Sequence, residues 1–415
     1  MNEQLQGATT QTASAQPLFN PLSPDFIRDP YPSYDKLRTR APVLHLPALN
    51  GYLVSRNADA ALVLRDKRFG KDYVTRITRR FGPEPLNEPV YRARGRWMLT
   101  QDPPDHTRLR GLVVKAFTAR RVEDMRPKIQ AIVDDSIDRV IGQGRMDLIS
   151  DFAFRLPVIV ICDMLGIPAT AREIFFKRER TGGRLLDPVP LSRAEIDEAN
   201  AAHANSEAYF QRLFDLRRRE PGDDLTTQLV QAEEAGSKLS NEELTANIIL
   251  LFGAGHETTV NLIGNALLAL HRNPDQLELL KSNLSLMPNA IEEFLRYDSS
   301  VQLTGRVAME DVEIGGVKIP QGDNVMCLLG SANHDPAVYP DHPDRLDITR
   351  PNVRPLSFGG GIHFCLGAQL ARLEAEVALT TLLRRIPNLR IDDVENPKWR
   401  PTFVLRGLKE LPASW

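Results

Sequence analysis

A single long helical segment, from Asn241 to Arg272, settles much of what this chain can fold into. Ser240 followed by Glu243 is a capping box, which satisfies N–H groups that the start of a helix leaves without partners. Asn273-Pro274 stops the segment, because proline disfavours helical geometry in the residue before it. Roughly 32 residues at 1.5 Å each would span about 48 Å, enough to cross a whole domain. The apolar residues (Ile248, Ile249, Leu250, Leu251, Phe252, Val260, Leu262, Ile263) are not confined to one stripe, so the helix belongs in the middle of a fold. Yet its centre reads Gly253-Ala254-Gly255-His256-Glu257-Thr258-Thr259. Glycines, a carboxylate and hydroxyls in a buried helix cost stability through lost propensity and desolvation. A kink facing a water pocket and a functional site both account for that interruption.

Around this helix the class is mainly α with small β-sheets at the edges (α+β). Short strands are expected at Val43–Leu46 and Tyr52–Val54 around an Asn50-Gly51 turn, and at Val301–Ala308, Val312–Ile319 and Asn324–Leu329. Helical patterning fills about 105–297 and returns at about 365–385. The 415 residues would ordinarily imply two or three domains, but no linker or repeat interrupts them. One domain over 21–415 is expected, behind a polar, flexible tail at 1–20. A formal charge of -2 gives no reason to expect nucleic acid as a partner. The longest apolar runs, such as Val158–Cys162, are too short to anchor the chain in a membrane, and no secretory signal is visible. Cys162, Cys327 and Cys365 form no CxxC pair, which points away from disulfides and toward a reducing cytoplasm.

The third cysteine has unusual surroundings: Phe358-Gly359-Gly360-Gly361-Ile362-His363-Phe364-Cys365-Leu366-Gly367, then a helix from about Ala368. Consecutive glycines open backbone conformations and approach distances closed to other residues. A helix start beside the sulfur should lower the thiol pKa and favour the thiolate, a good ligand for a borderline metal. A buried cysteine is otherwise usually a small hydrophobe. The glycines, the helix start and the flanking Phe358 and Phe364 argue for the ligand.

This loop resembles the haem-binding loop of the cytochromes P450, Phe-x-x-Gly-x-x-x-Cys-x-Gly. Other family motifs follow in order. Ala254–Thr259 is similar to the oxygen-activation segment of the family's long helix, and Glu293-Phe294-Leu295-Arg296 to its Glu-x-x-Arg pair. Arg345 in Pro343-Asp344-Arg345-Leu346 resembles the arginine completing that network, though Phe is commoner where Leu346 stands. Asp102–Arg110 resembles the segment that reaches the haem carboxylates in soluble bacterial members. The likeness runs from about 20 to 412.

The resemblance implies a haem-thiolate monooxygenase carrying haem b. Cys365 would be the axial metal ligand, with Leu366 and Gly367 offering N–H groups to its sulfur. His106, Arg110, Arg306 and His363 would pair with the haem carboxylates, and Phe358 would flank the cofactor. Gly255 would leave room for O2. Glu257 and Thr258 would deliver the two protons that splitting dioxygen requires. Glu293 and Arg296, three apart on a helix, are either an exposed pair or, as the family match implies, a buried structural network.

No dinucleotide fingerprint or flavin region is present, so electrons must come from a ferredoxin or flavodoxin with its NAD(P)H-dependent reductase. Lys115, Arg120, Arg121 and Arg372 would form its basic docking face. The family's pocket segments (70–98, 170–205, Phe252, Val301, Leu303 and Thr402-Phe403-Val404) are mainly apolar here, which implies a hydrophobic small-molecule substrate, with the enzyme a monomer. Arginines 76, 79, 80, 92, 94 and 96 crowd one of these segments. One could meet an anionic group on the substrate, and the rest are expected in water. A peroxide-driven haem-thiolate catalyst and a non-catalytic haem carrier or sensor are the competing functions.

Overall fold

The computed structural model describes residues 19–172, 181–234 and 239–415. The long helix runs Asn241–Arg272, opened by the Ser240–Glu243 capping box and closed at Asn273. Its buried residues fall into two blocks, Leu244–Phe252 (Ile249 apart) and Thr259–Leu270, with the polar insertion between them. The first block packs into a core shared with the helices Arg155–Met164 and Arg193–Arg219. The second joins a larger core with the helices Arg126–Asp138, Met287–Tyr297 and Ala368–Arg385. The helix therefore serves two cores, and the polar stretch sits at the gap between them.

The sheet expected at the edge has five strands: β1 (Val43–Leu46), β2 (Gly51–Val54), β3 (Phe69–Gly70), β4 (Leu303–Ala308) and β5 (Asn324–Leu328), in spatial order β1-β2-β5-β4-β3. Only the β2–β5 pairing is parallel. Val301 lies outside β4 and bridges Leu405 instead. Val312–Ile314 and Val317–Ile319 form a hairpin, with Gly315 and Gly316 at φ +55° and +80°. The span expected to be helical holds a strand, Arg145–Asp147, which pairs with Pro412–Ser414 at the other end of the chain. Helices also precede residue 105, among them Tyr73–Phe81 and Pro89–Arg94.

The tail expected over 1–20 lies outside the described residues except for Phe19 and Asn20. Phe19 is not loose: it is buried, its ring 5.2 Å from Phe26 and 5.7 Å from Phe403. No helix among the described residues is long and apolar enough to cross a membrane.

Candidate active site

One cavity of about 590 Å³ lies beneath the polar centre of the long helix and is closed on another side by the cysteine loop. The loop holds its shape through glycine. Gly361 has φ +65°, and a Cβ there would sit 2.3 Å from the Leu64 carbonyl oxygen, so no other residue fits without moving the backbone. The Cys365 N–H donates to the Phe358 carbonyl at 3.0 Å, and the helix Ala368–Arg385 begins just beyond Gly367.

The three cysteines are distinguished by their surroundings. Cys162 and Cys327 are packed in apolar cores, where burial pushes both thiols up to about 12. Cys365 lines the cavity. Its thiol is also raised, contrary to the sequence expectation: burial outweighs the Gly367 N–H and the Arg110 and Arg372 cations, which favour the anion. The helix start does not offset burial here. A metal cation against the sulfur would supply the missing compensation.

The expected carboxylate partners do converge. His106 and His363 face each other with ring centroids 4.3 Å apart, and the Arg110 guanidinium donates to the Phe364 carbonyl at 2.8 Å. Arg306 is buried and donates to the Gly305 carbonyl at 3.0 Å. Lys71, which sequence reasoning missed, is buried beside it, with Nζ 3.2 Å from the same carbonyl. Burial, then the neighbouring Lys71, Arg306, His106 and Arg110, depress the His363 pKa, and its Nε2 is buried without a partner among the described residues. Burial and repulsion from Arg306 and Arg76 likewise hold Lys71 well below the usual lysine range. A buried positive well with an orphaned ring nitrogen fits a group bearing two carboxylates, and haem is such a group.

On the opposite wall, Thr258 Oγ1 donates to the Ala254 carbonyl at 3.1 Å, and Glu257 accepts from Arg400 Nη1 at 3.1 Å. Gly255 lines the cavity, but the space its missing side chain leaves is toward a neighbouring helix. Its missing Cβ would lie 3.0 Å from Ile161 Cδ1, so this glycine lets the Arg155–Met164 helix pack closely, while Ala254 is the exposed residue at the cavity. Glu374, nine residues past the cysteine, also reaches the cavity. Burial raises its pKa well above the usual carboxylate range, with only the Thr259 hydroxyl opposing.

Two further expectations need correction. The arginine that completes the buried network is Arg350, whose Nε lies 3.3 Å from Glu293. Arg345 is exposed and contributes only its carbonyl, to Arg296 at 2.8 Å. Lys115, Arg120 and Arg121 are exposed as expected, but Arg372 pairs with Glu292 at 3.0 Å and stacks 4.5 Å from the Phe358 ring centre. Of the pocket segments, Phe252, Val301, Leu303 and Val404 line the cavity, while residues 173–180 lie outside the described residues.

A mainly helical fold that encloses a cysteine, a buried cluster of cations and an acid–alcohol pair in one cavity is the arrangement a haem-thiolate oxidoreductase needs. The comparisons agree: the chain belongs to the cytochrome P450 family, whose profile matches residues 193–407. It is 43% identical to the putative cytochrome P450 133B1 of Xylella fastidiosa, over 94% of this chain and 96% of that protein. It is 42% identical to the cytochrome P450 monooxygenase PikC of Streptomyces venezuelae, over 95% and 93%. The crystal structure of P450BioI in complex with acyl carrier protein ligated to hexadec-9Z-enoic acid superposes with a TM-score of 0.86, at 40% identity over 95% of this chain and 100% of that one. Proteins of this family bind protoporphyrin IX iron through a cysteine thiolate, and this chain is a P450 oxidoreductase.

Proposed function

We propose that this enzyme inserts one oxygen atom of O2 into a C–H or C=C bond of a hydrophobic small molecule, taking two electrons singly from a separate ferredoxin or flavodoxin. The observation that carries this is the placement of Cys365 and the Glu257–Thr258 pair on walls of one largely apolar cavity. Bound haem supplies the iron at which dioxygen is reduced and cleaved, helped by electron density from the thiolate.

The chain's own residues do the rest. Cys365 ligates from the loop, and the Gly367 N–H tunes its donor strength. Arg110, Arg306 and Lys71 hold the haem carboxylates, with His106 and His363 as ring N–H donors. Thr258 holds a water through its hydroxyl and passes protons from it toward the cavity. Glu257 relays protons to that water, and Arg400 Nη1, 3.1 Å away, holds the carboxylate in position. Exposed Lys115, Arg120 and Arg121, near exposed Val114, give an acidic electron carrier a face to dock on.

The test is turnover with reductase, ferredoxin and a substrate found by spectral screening of apolar metabolites. Thr258→Ala should continue to consume NADH while product per NADH falls about tenfold or more. Unchanged coupling would remove Thr258 from the relay. Turnover with hydrogen peroxide, but not with reductant and O2, would establish the peroxide-driven function instead.

A further inference from the structure

The six arginines between residues 76 and 96 divide into two sets. Arg79, Arg92 and Arg96 are exposed, and Arg79 reaches Asp323 at 3.4 Å. Arg76, Arg80 and Arg94 turn inward and line the cavity. Local structure explains the division. Arg76 and Arg80 are four apart on the helix Tyr73–Phe81 and share the cavity face, while Arg79, about 100° round the helix from Arg80, is exposed toward Asp323. Arg94 ends the helix Pro89–Arg94. The Tyr73 hydroxyl clamps the two helices by donating to the Tyr91 carbonyl at 3.0 Å, and a Cβ on Gly95 would press within 3.2 Å of the Tyr73 ring.

The inner three are not neutralised. Arg94 is 5% exposed, and its Nε has no hydrogen-bond partner among the described residues. The same holds for the buried Nε and Nη2 of Arg80. Their neighbours are aromatic: Arg76 lies 5.4 Å from the centre of Tyr73, and Arg94 lies 5.4 Å from that of Trp97. Asp102 is the carboxylate felt by Arg76, but it already accepts the backbone N–H groups of Lys71 and Asp72. Burial and mutual repulsion push Arg76 down to about 10 and Arg80 to about 9. A guanidinium keeps its charge in a protein, so that strain is carried as uncompensated positive potential. The two haem carboxylates are assigned to Lys71, Arg110 and Arg306, which line the same cavity and leave Arg80 and Arg94 with no assigned counter-charge.

Buried charge without a partner is costly enough that its persistence points to a ligand. We propose that Arg80 and Arg94, with Arg76, form an oxyanion subsite, and that the substrate is an apolar acid whose carboxylate sits there. Its hydrocarbon body then lies along Ile77, Phe81, Leu185, Ala199 and Ile249, in the same cavity. This deepens the monooxygenase reading and rests on it for the chemistry, but not for the binding.

The experiment uses the holoenzyme and three probes of equal chain length: tetradecanoic acid, its methyl ester and tetradecan-1-ol. Affinity is read by spectral titration and, independently of the haem, by equilibrium dialysis. The acid should bind about 30-fold or more tightly than the ester or alcohol. Arg80→Gln and Arg94→Gln should reduce acid affinity to the ester's level and leave ester affinity unchanged. The ligand-free variants should retain haem and melt higher than wild type, because an uncompensated cation is gone. Equal binding of acid and ester, or no binding of any probe, overturns the proposal. So does haem loss from Arg80→Gln, which would assign the cluster to the cofactor. If a variant fails to fold, the wild-type acid-to-ester ratio decides alone. Failure of the monooxygenase reading would appear separately, as an absent thiolate signature in the reduced carbonyl spectrum with the dialysis preference intact.

Discussion

Two groups of buried arginines in this molecule are handled in opposite ways. Around Glu293 every charge is answered: Arg296 donates to both carboxylate oxygens at 2.7 and 2.8 Å, Arg350 adds a third contact, and the Asp347 N–H adds a fourth at 2.9 Å. The rest of the Arg296 guanidinium is taken by the carbonyls of Asn333, Pro343 and Arg345. Arg80 is half-buried and Arg94 buried at the cavity wall, and the buried Nε and Nη2 of Arg80 and Nε of Arg94 have no hydrogen-bond partner among the described residues. A saturated cluster is part of the scaffold and has no capacity left for a ligand. An unsaturated one facing a cavity is stability forgone in the ligand-free state, which is how binding sites are commonly built.

The difference can be broken at its strongest point. Glu293→Gln leaves Arg296 and Arg350 buried without a counter-charge and should cost about 3–5 kcal/mol, read as a fall in thermal midpoint and in haem content. A variant that melted with wild type would erase the contrast with the arginine cluster, where removal of a charge is expected to stabilise.

A second effect comes from His334, buried beside the saturated network with Nε2 2.9 Å from the Tyr297 carbonyl. Burial, then repulsion from Arg296, pushes its pKa down to about 3. Between about pH 6.5 and 3 the unfolded chain therefore binds a proton that the folded chain refuses, so stability should fall as pH falls through that window. Unfolding of wild type and His334→Gln at several pH values should show a shallower slope in the variant. The smallest effect is expected at Arg345→Ala, within about 0.5 kcal/mol, because the exposed side chain contributes nothing to the network that its backbone carbonyl serves.

What could be read from sequence followed the range of the interaction. The long helix was legible to the residue, since its cap and its Asn-Pro stop are local signals. The cysteine loop was legible because glycines, aromatics and a helix start lie within ten residues. Arg345 and Arg350 could not be told apart, as the choice depends on which loop residue folds back onto a helix more than fifty positions earlier. Gly255 was recognised as a special position, but which neighbour its missing Cβ faces is decided by the packing of another helix. Lys71 and Glu374 gave no local signal at all; burial against the cavity is what marks them. The arginines at 76–96 were visible as a charge-rich stretch, while their division into inner and outer sets required the register of two short helices.

The central claim is that Cys365 holds the haem iron as a thiolate, and that the catalytic roles proposed around the cavity depend on this ligation. The direct measurement is the reduced carbonyl spectrum of the haem-loaded protein, wild type and Cys365→Ser. The account predicts an absorbance maximum at about 450 nm in the wild type that is lost in the variant. A wild-type maximum at about 420 nm, or a variant spectrum matching the wild type's, would contradict it.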